Sequence, residues 1–357
     1  MYDYIIVGTG LSGSVCANLL AKHKKRCLVL EQNNFVGGMV HNSYKDGIII
    51  HEYGPHIFHT NNKKIWEYVN SYAKFNDYKL CVKSLYNNKL YDIPFNLNTL
   101  KQLYGKMNDE QLLYRFHQQK QIFSHLTNLE EQALSMFGKD IYEIFIKGYT
   151  EKQWNQQCNQ LPLSIIERMS FRNTHDKYYF TDKYQGVPIN GYNELIQNLL
   201  DSKYIEIQTN ENFDLTMYQN YNIIYTGDVS ELYHYVYGKL DYRGLRFIHK
   251  KVNQNFVQKY AVINYPSRKV PYTRITEHKH FMKNCKNNIS TYISYEYPDD
   301  KNKFYPINNN KNNDLYNKYV NLTSGDNLFL CGRLGLYKYL NMDEVVLEAF
   351  RLCKKLI

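Results

Sequence analysis

Gly8, Gly10 and Gly13 carry the first chemistry that can be read from this chain: they fall at G-x-G-x-x-G spacing, directly after the apolar run Tyr4-Ile5-Ile6-Val7. That run reads as a buried strand turning into a helix, and the turn is where a dinucleotide pyrophosphate sits. Gly8 permits the tight turn, Gly10 lets phosphate oxygens approach bare backbone, and Gly13 lets the new helix pack close with its free N–H groups facing the anion. Glu31 ends a second apolar strand, Arg26-Cys27-Leu28-Val29-Leu30, about 20 residues past the glycines, where a ribose 2′-hydroxyl takes a carboxylate. His51, His56 and His59 invite a metal reading. Their spacing does not put three imidazoles on one helical face, however, and no acidic ligand cluster accompanies them.

The elements that position these groups change character along the chain. Phe35-Val36-Gly37-Gly38 brings a second glycine pair, either an ordinary turn or a place where a flat cofactor passes close to backbone. From about residue 61 to 154 the pattern is helical: Ile65, Tyr68, Val69 and Tyr72 fall at i, i+3, i+4 and i+7, and Leu129 to Leu134 opens another amphipathic run. Around 177–188 and 241–306, β-branched and aromatic residues alternate with polar ones, which predicts a mostly antiparallel sheet. Two further strands end in glycine, Ile223 to Gly227 and Leu328 to Gly332, and the second feeds a closing helix from about Met342 to Lys354; residues 308–313 read as a surface loop.

This pattern belongs to a flavin protein rather than a nicotinamide dehydrogenase. The fold class is α/β: an FAD-binding Rossmann-like domain with an inserted helical domain and a mostly antiparallel β-sheet domain. The expected parts are a discontinuous cofactor domain over 1–76, 190–240 and 320–357, a helical domain over 77–172, and a sheet domain over 173–189 and 241–319. A helix N-terminus near residues 341 to 343 would place its positive dipole end at the flavin pyrimidine edge, where negative charge gathers on reduction.

The 357 residues can bury a substantial core, and the net charge of +10 is scattered rather than striped, without a nucleic-acid recognition motif. Seven cysteines with no C-x-x-C pair read as free buried thiols in a reducing compartment. The long uncharged stretch from Tyr4 to Ala21 follows Asp3 instead of a basic segment, so it reads as mature fold. The expectation is a soluble cytoplasmic protein with no nucleic-acid or membrane partner.

Rarer blocks say more. Tyr149-Thr150-Glu151-Lys152-Gln153-Trp154, the run His51-Glu52-Tyr53-Gly54-Pro55-His56-Ile57-Phe58-His59-Thr60, Tyr184-Gln185-Gly186-Val187-Pro188, Val270-Pro271-Tyr272-Thr273-Arg274-Ile275 and Gly332-Arg333-Leu334 occur in this order. With them the chain closely resembles the bacterial UDP-galactopyranose mutases, from Met1 to the C-terminal helix. The resemblance implies a three-domain FAD protein, often a homodimer, that interconverts pyranose and furanose forms of a UDP-sugar without net oxidation. The flavin must be reduced: its N5 attacks the anomeric carbon and expels UDP, the sugar opens and recloses through another hydroxyl, and UDP returns.

Residue by residue, the resemblance implies that Arg168, on a mobile loop near 159–173, and Arg274 clamp the substrate diphosphate, a role suited to guanidinium forks. Tyr149, Thr150 and Trp154 match the nucleotide end, and Tyr179, Tyr305 and Tyr339 surround diphosphate and sugar. Asn264 and Arg274 flank a turn that would set them opposite one another. His56 and His59 lie near flavin and sugar, either shifting a proton during ring opening or making a structural hydrogen bond. The cofactor set is Gly8, Gly10, Gly13, Glu31, Gly38, His56, Gly332, Arg333, Asn341 and Met342.

Three positions depart from the pattern: Leu80 stands where Asn is usual, Leu336 where Glu is usual and Asn341 where Asp is usual. All lose polarity or charge. That points to a changed sugar pocket, for UDP-arabinopyranose or a 6-deoxy sugar, with drift as the competing account. An FAD-dependent oxidoreductase and a silent nucleotide-sugar-binding paralogue are the alternatives of another class.

Overall fold

The computed structural model describes residues 1–167, 169–286, 289–323, 325 and 327–357. A five-stranded parallel sheet runs in the order Leu328–Leu330, Asn222–Tyr225, Tyr4–Val7, Cys27–Glu31 and Ile205–Thr209. Tyr4–Val7 is central because both its faces are covered, and Ile5 and Ile6 have no exposed surface. The helix Leu11–Lys22 lies on one face, against Met342–Leu356 and Tyr192–Leu200. Val15, Ala17 and Leu20 are fully buried there, and a Val or Leu side chain so buried contributes about 1.5–3 kcal/mol. The two glycine-ended strands and the closing helix stand where the sequence pattern puts them, while the half-exposed edge strand Ile205–Thr209 escaped it.

A seven-stranded sheet runs Tyr305–Pro306, Tyr242–Val252, Thr291–Asp299, Arg274–Glu277, Val262–Asn264, Val82–Tyr86 and Lys89–Ile93. It is antiparallel except where Val262–Asn264 runs parallel to Val82–Tyr86. This corrects two expectations. The hairpin 82–93, assigned to the helical insertion, belongs to the sheet: it turns through Asn87 and Asn88, both at positive φ, and leaves Val82, Tyr91 and Ile93 on a buried face. The stretch 173–189 contributes only Tyr184–Gly186, which pairs with Phe58–Thr60 outside the large sheet.

The insertion then consists of helices Leu97–Tyr104, Asp109–Gln118, Leu129–Ile141 and Lys147–Trp154, with a widened π-turn over Tyr142–Ile146 before the last. Asparagines start most of them. The side-chain oxygens of Asn96, Asn108 and Asn128 accept from the backbone N–H of Thr99, Gln111 and Glu131 at 2.9–3.1 Å, supplying partners that the first helical turn lacks. Asn309 does the same for Asn312 at 2.8 Å, so the expected loop 308–313 instead launches the helix Asn310–Leu322. Among the described residues no helix is long and apolar enough to cross a membrane.

Candidate active site

The glycine turn has the shape a dinucleotide requires. Gly8 has φ +97° and Gly332 +78°, and a Cβ on Gly13 would stand 2.0 Å from the Gly8 carbonyl oxygen. A Cβ on Gly332 would meet Ser12 Oγ at 2.5 Å, so the C-terminal return presses onto the start of the first helix. Gly10 differs: an added Cβ would meet no described atom within 4 Å, leaving open space in front of the helix N-terminus. Gly38 backs onto it, with its own would-be Cβ 3.0 Å from Gly10 Cα. Glu31 is buried at its strand end, where Oε2 accepts from Thr9 N and Oγ1 and Oε1 from Asn33 N and Nδ2, at 2.5–3.0 Å. A cradle that only bare backbone leaves open, with a positioned carboxylate, fits a bound dinucleotide.

The closing helix starts at Asn341, whose N–H donates to Glu344 Oε2 at 2.6 Å, while Asp343 Oδ1 takes the Glu344 N–H at 2.9 Å. Arg333 ties the preceding segment down, donating from Nη2 to the Leu340 carbonyl at 2.7 Å, with its guanidinium over the Tyr339 ring. Met342 follows as the first helical residue. Burial and the charge of Arg333 push the His56 imidazole down to about 4, so it is neutral at neutral pH. His51, beneath it, is pushed down to about 3 by burial and by His56. His51 Nδ1 accepts the His56 backbone N–H at 3.1 Å. His59 faces another way: Nδ1 is 2.8 Å from Asp182 Oδ2 and its ring stacks on Phe180 at 3.7 Å.

Arg274 is the hub of a second cluster. The strand register sets it opposite Asn264 on one side and Glu296 on the other. Its Nε donates to Asn264 Oδ1 at 3.0 Å and its Nη2 to Tyr149 Oη at 3.3 Å, while Nη1 stands 3.6 Å from Glu296 Oε2. Burial acts to lower the Arg274 pKa, but Glu296 and the hydroxyls of Tyr149, Tyr305 and Tyr179 outweigh it and hold the charge on. Tyr149 is pushed up to about 12, chiefly by burial. Tyr305 stacks on Tyr339 at 5.3 Å. A fixed, permanently charged fork ringed by tyrosine side chains is suited to an oxyanion such as a diphosphate.

The structure therefore gathers Tyr149, Tyr179, Asn264, Arg274, Tyr305 and Tyr339. Thr150 is buried, and Trp154, one turn on, packs partly buried against the main core. Arg168 lies outside the described residues. The rest of its segment is anchored by buried Leu161 and Ile166, and the Leu129 N–H donates to the Leu161 carbonyl at 2.9 Å. Leu80 is buried in the main core, and its backbone carbonyl accepts the Tyr179 N–H at 2.7 Å. Leu336 borders a separate cavity with Leu330, Cys331 and Leu352 behind the closing helix, which removes it from the sugar-pocket argument. Glu296 escaped the sequence reading. Its signal was a carboxylate among the alternating residues of Thr291–Asp299, on the face shared with buried Ser294.

Fold and cluster together define a Rossmann-like α/β protein with an arginine–tyrosine cluster on a neighbouring, mostly antiparallel sheet. The chain matches the family model "UDP-galactopyranose mutase" over residues 144–339 and the model "NAD(P)-binding Rossmann-like domain" over 6–72. It is 37% identical over 362 residues to the protein named "Probable UDP-galactopyranose mutase" of Klebsiella pneumoniae, covering 98% of this chain and 93% of that one. It is 33% identical to the dTDP-fucopyranose mutase of Escherichia coli, over 98% and 97% of the two chains. A solved structure of reduced UDP-galactopyranose mutase superposes with a TM-score of 0.81 at 16% identity, covering 100% of this chain and 94% of that one, which supports the fold. The chain belongs to the UDP-galactopyranose mutase family, and it is an isomerase of the intramolecular transferase class.

Proposed function

We propose that this enzyme interconverts the pyranose and furanose forms of a UDP-sugar, with FAD held in its reduced state and no net redox change. The observation that carries this reading is Arg274, a half-buried guanidinium oriented by Asn264 and Glu296 and ringed by tyrosines, two of which, Tyr305 and Tyr339, lead on to Arg333 at the C-terminal return beside the glycine cradle. Reduced FAD supplies a nucleophilic N5 for the anomeric carbon. Arg274, with Arg168, holds the departing diphosphate so that it can return; Tyr149, Thr150 and Trp154 receive the nucleotide, and Tyr179, Tyr305 and Tyr339 enclose diphosphate and sugar. Neutral His56 would lie at the flavin, while His59, held by Asp182 and stacked on Phe180, would take the structural role rather than shift a proton. The free cysteines support a reducing, cytoplasmic setting, and the family resemblance supports a homodimer.

A less polar sugar, UDP-arabinopyranose or a 6-deoxy sugar nucleotide, is the finer reading. Apolar Leu80, where the family usually carries Asn, favours it, as does the similarity to a dTDP-fucopyranose mutase. The deciding experiment is product analysis on dithionite-reduced enzyme with UDP-galactose, UDP-arabinopyranose and dTDP-fucopyranose. Furanose product from any of them supports the mutase; a strong galactose preference in kcat/KM removes the finer reading. Failure to bind FAD, or no ring contraction from any substrate, removes the whole.

A further inference from the structure

Lys152 makes an unusual set of contacts. Four backbone carbonyls converge on its ammonium, those of Tyr265 at 2.7 Å, Ser267 at 3.0 Å, Val270 at 3.1 Å and Tyr272 at 2.7 Å, and share its three N–H groups. All four belong to the loop that joins Asn264 to Arg274, so one cation gathers the whole turn between the two residues of the clamp. Burial brings the ammonium down to about 8, which leaves it mostly charged at neutral pH. Tyr149, whose hydroxyl accepts a hydrogen bond from Arg274 Nη2, stands one turn earlier on the same helix. Gly148 completes the joint: a Cβ there would stand 2.5 Å from the Pro266 carbonyl oxygen, so helix and loop meet backbone to backbone. Arg268 of the loop also pairs with Glu151.

We propose that Lys152 is a positioning residue, its ammonium filling a carbonyl cage that holds the 265–272 loop and sets Asn264 and Arg274 against Tyr149 for capture of a nucleoside diphosphate. The inference rests on the proposed function of this site. Carbonyl dipoles converging on one point repel each other unless a cation sits there, so removing the ammonium opens the loop rather than merely deleting a contact. A cavity of about 490 Å³, lined by Lys152, Asn155, Gln156, Arg268, Val270 and Pro271, gives small solutes access to the cage.

The test uses the FAD-loaded full chain and UDP affinity by calorimetry, with flavin content checking integrity. Lys152→Ala is expected to weaken UDP about tenfold or more, as for loss of charge-assisted hydrogen bonds. Ammonium or methylammonium should restore affinity saturably, and tetramethylammonium should not. Lys152→Met fills the cage with a methyl group, so it should show the same weakening without rescue. In turnover the Lys152→Ala defect should appear in KM for the sugar nucleotide rather than in kcat. Unchanged UDP affinity in either variant, a Lys152→Ala defect that ammonium leaves in place, or equal rescue of both variants overturns the proposal. Should Lys152→Ala fail to fold, Lys152→Met decides: weakened UDP with normal flavin content supports it, and parental affinity refutes it. Absence of UDP binding by the parent enzyme would instead strike the functional reading.

Discussion

Arg274 and Glu296 face each other across neighbouring antiparallel strands, with guanidinium Nη1 3.6 Å from carboxylate Oε2. The carboxylate is buried, and its other oxygen is 3.4 Å from Thr273 Oγ1, so its position is set before any substrate arrives. Glu296 thus fixes the direction in which the fork points, while Asn264 holds its inner nitrogen.

Truncating that carboxylate should be costly. Glu296→Ala leaves a half-buried guanidinium without its counter-charge and frees its orientation, so kcat/KM should fall at least about tenfold. Glu296→Gln, which keeps the shape, should lose less. Steady-state rates of both variants on reduced enzyme provide the check, and parental rates in Glu296→Ala would remove the role.

Arg274→Lys tests the fork itself. Lysine keeps the charge but cannot satisfy Asn264, Tyr149 and an oxyanion at once, so UDP affinity should drop roughly 10- to 100-fold. Calorimetric titration with UDP measures it; a change under twofold would mean that charge alone suffices.

The glycine turn predicts a contrast between neighbours. Gly10→Val places its side chain in open space, so the protein should fold yet lose flavin, visible as low flavin absorbance per mole of protein with normal circular dichroism. Gly13→Ala drives a methyl into the Gly8 carbonyl and should reduce the yield of folded protein. Normal flavin content in Gly10→Val would place the pyrophosphate elsewhere.

Acid sensitivity follows from the histidines. His51 and His56 have folded pKa values of about 3 and about 4, below the usual 6.5, so the unfolded chain binds protons that the folded chain refuses. Stability should be undiminished above about pH 6.5 and fall as pH drops from there toward 4. Urea midpoints across that range should show the slope, and His51→Gln should flatten it.

Much of this was legible in the sequence because the responsible signals are local. The turn at Gly8, Gly10 and Gly13 and the capture of Asn264 by Arg274 across a short hairpin both follow from neighbouring residues. Long-range pairing was not legible. Val82–Tyr86 finds its partner Val262–Asn264 about 180 residues away, and nothing in its own composition announces it. Glu296 was hidden for the same reason: its meaning depends on a register with Arg274 that only tertiary structure fixes. The loop expected at 308–313 failed because asparagine serves turns and helix starts equally well.

The pairing of the 82–93 hairpin with the clamp's own sheet has a mechanical consequence. It turns what would be a hinge between the helical insertion and the clamp into a weld, since backbone hydrogen bonds bind the root of the insertion to the sheet that carries Arg274. The root of the insertion and the strand that carries Asn264 are thereby one continuous piece of paired backbone.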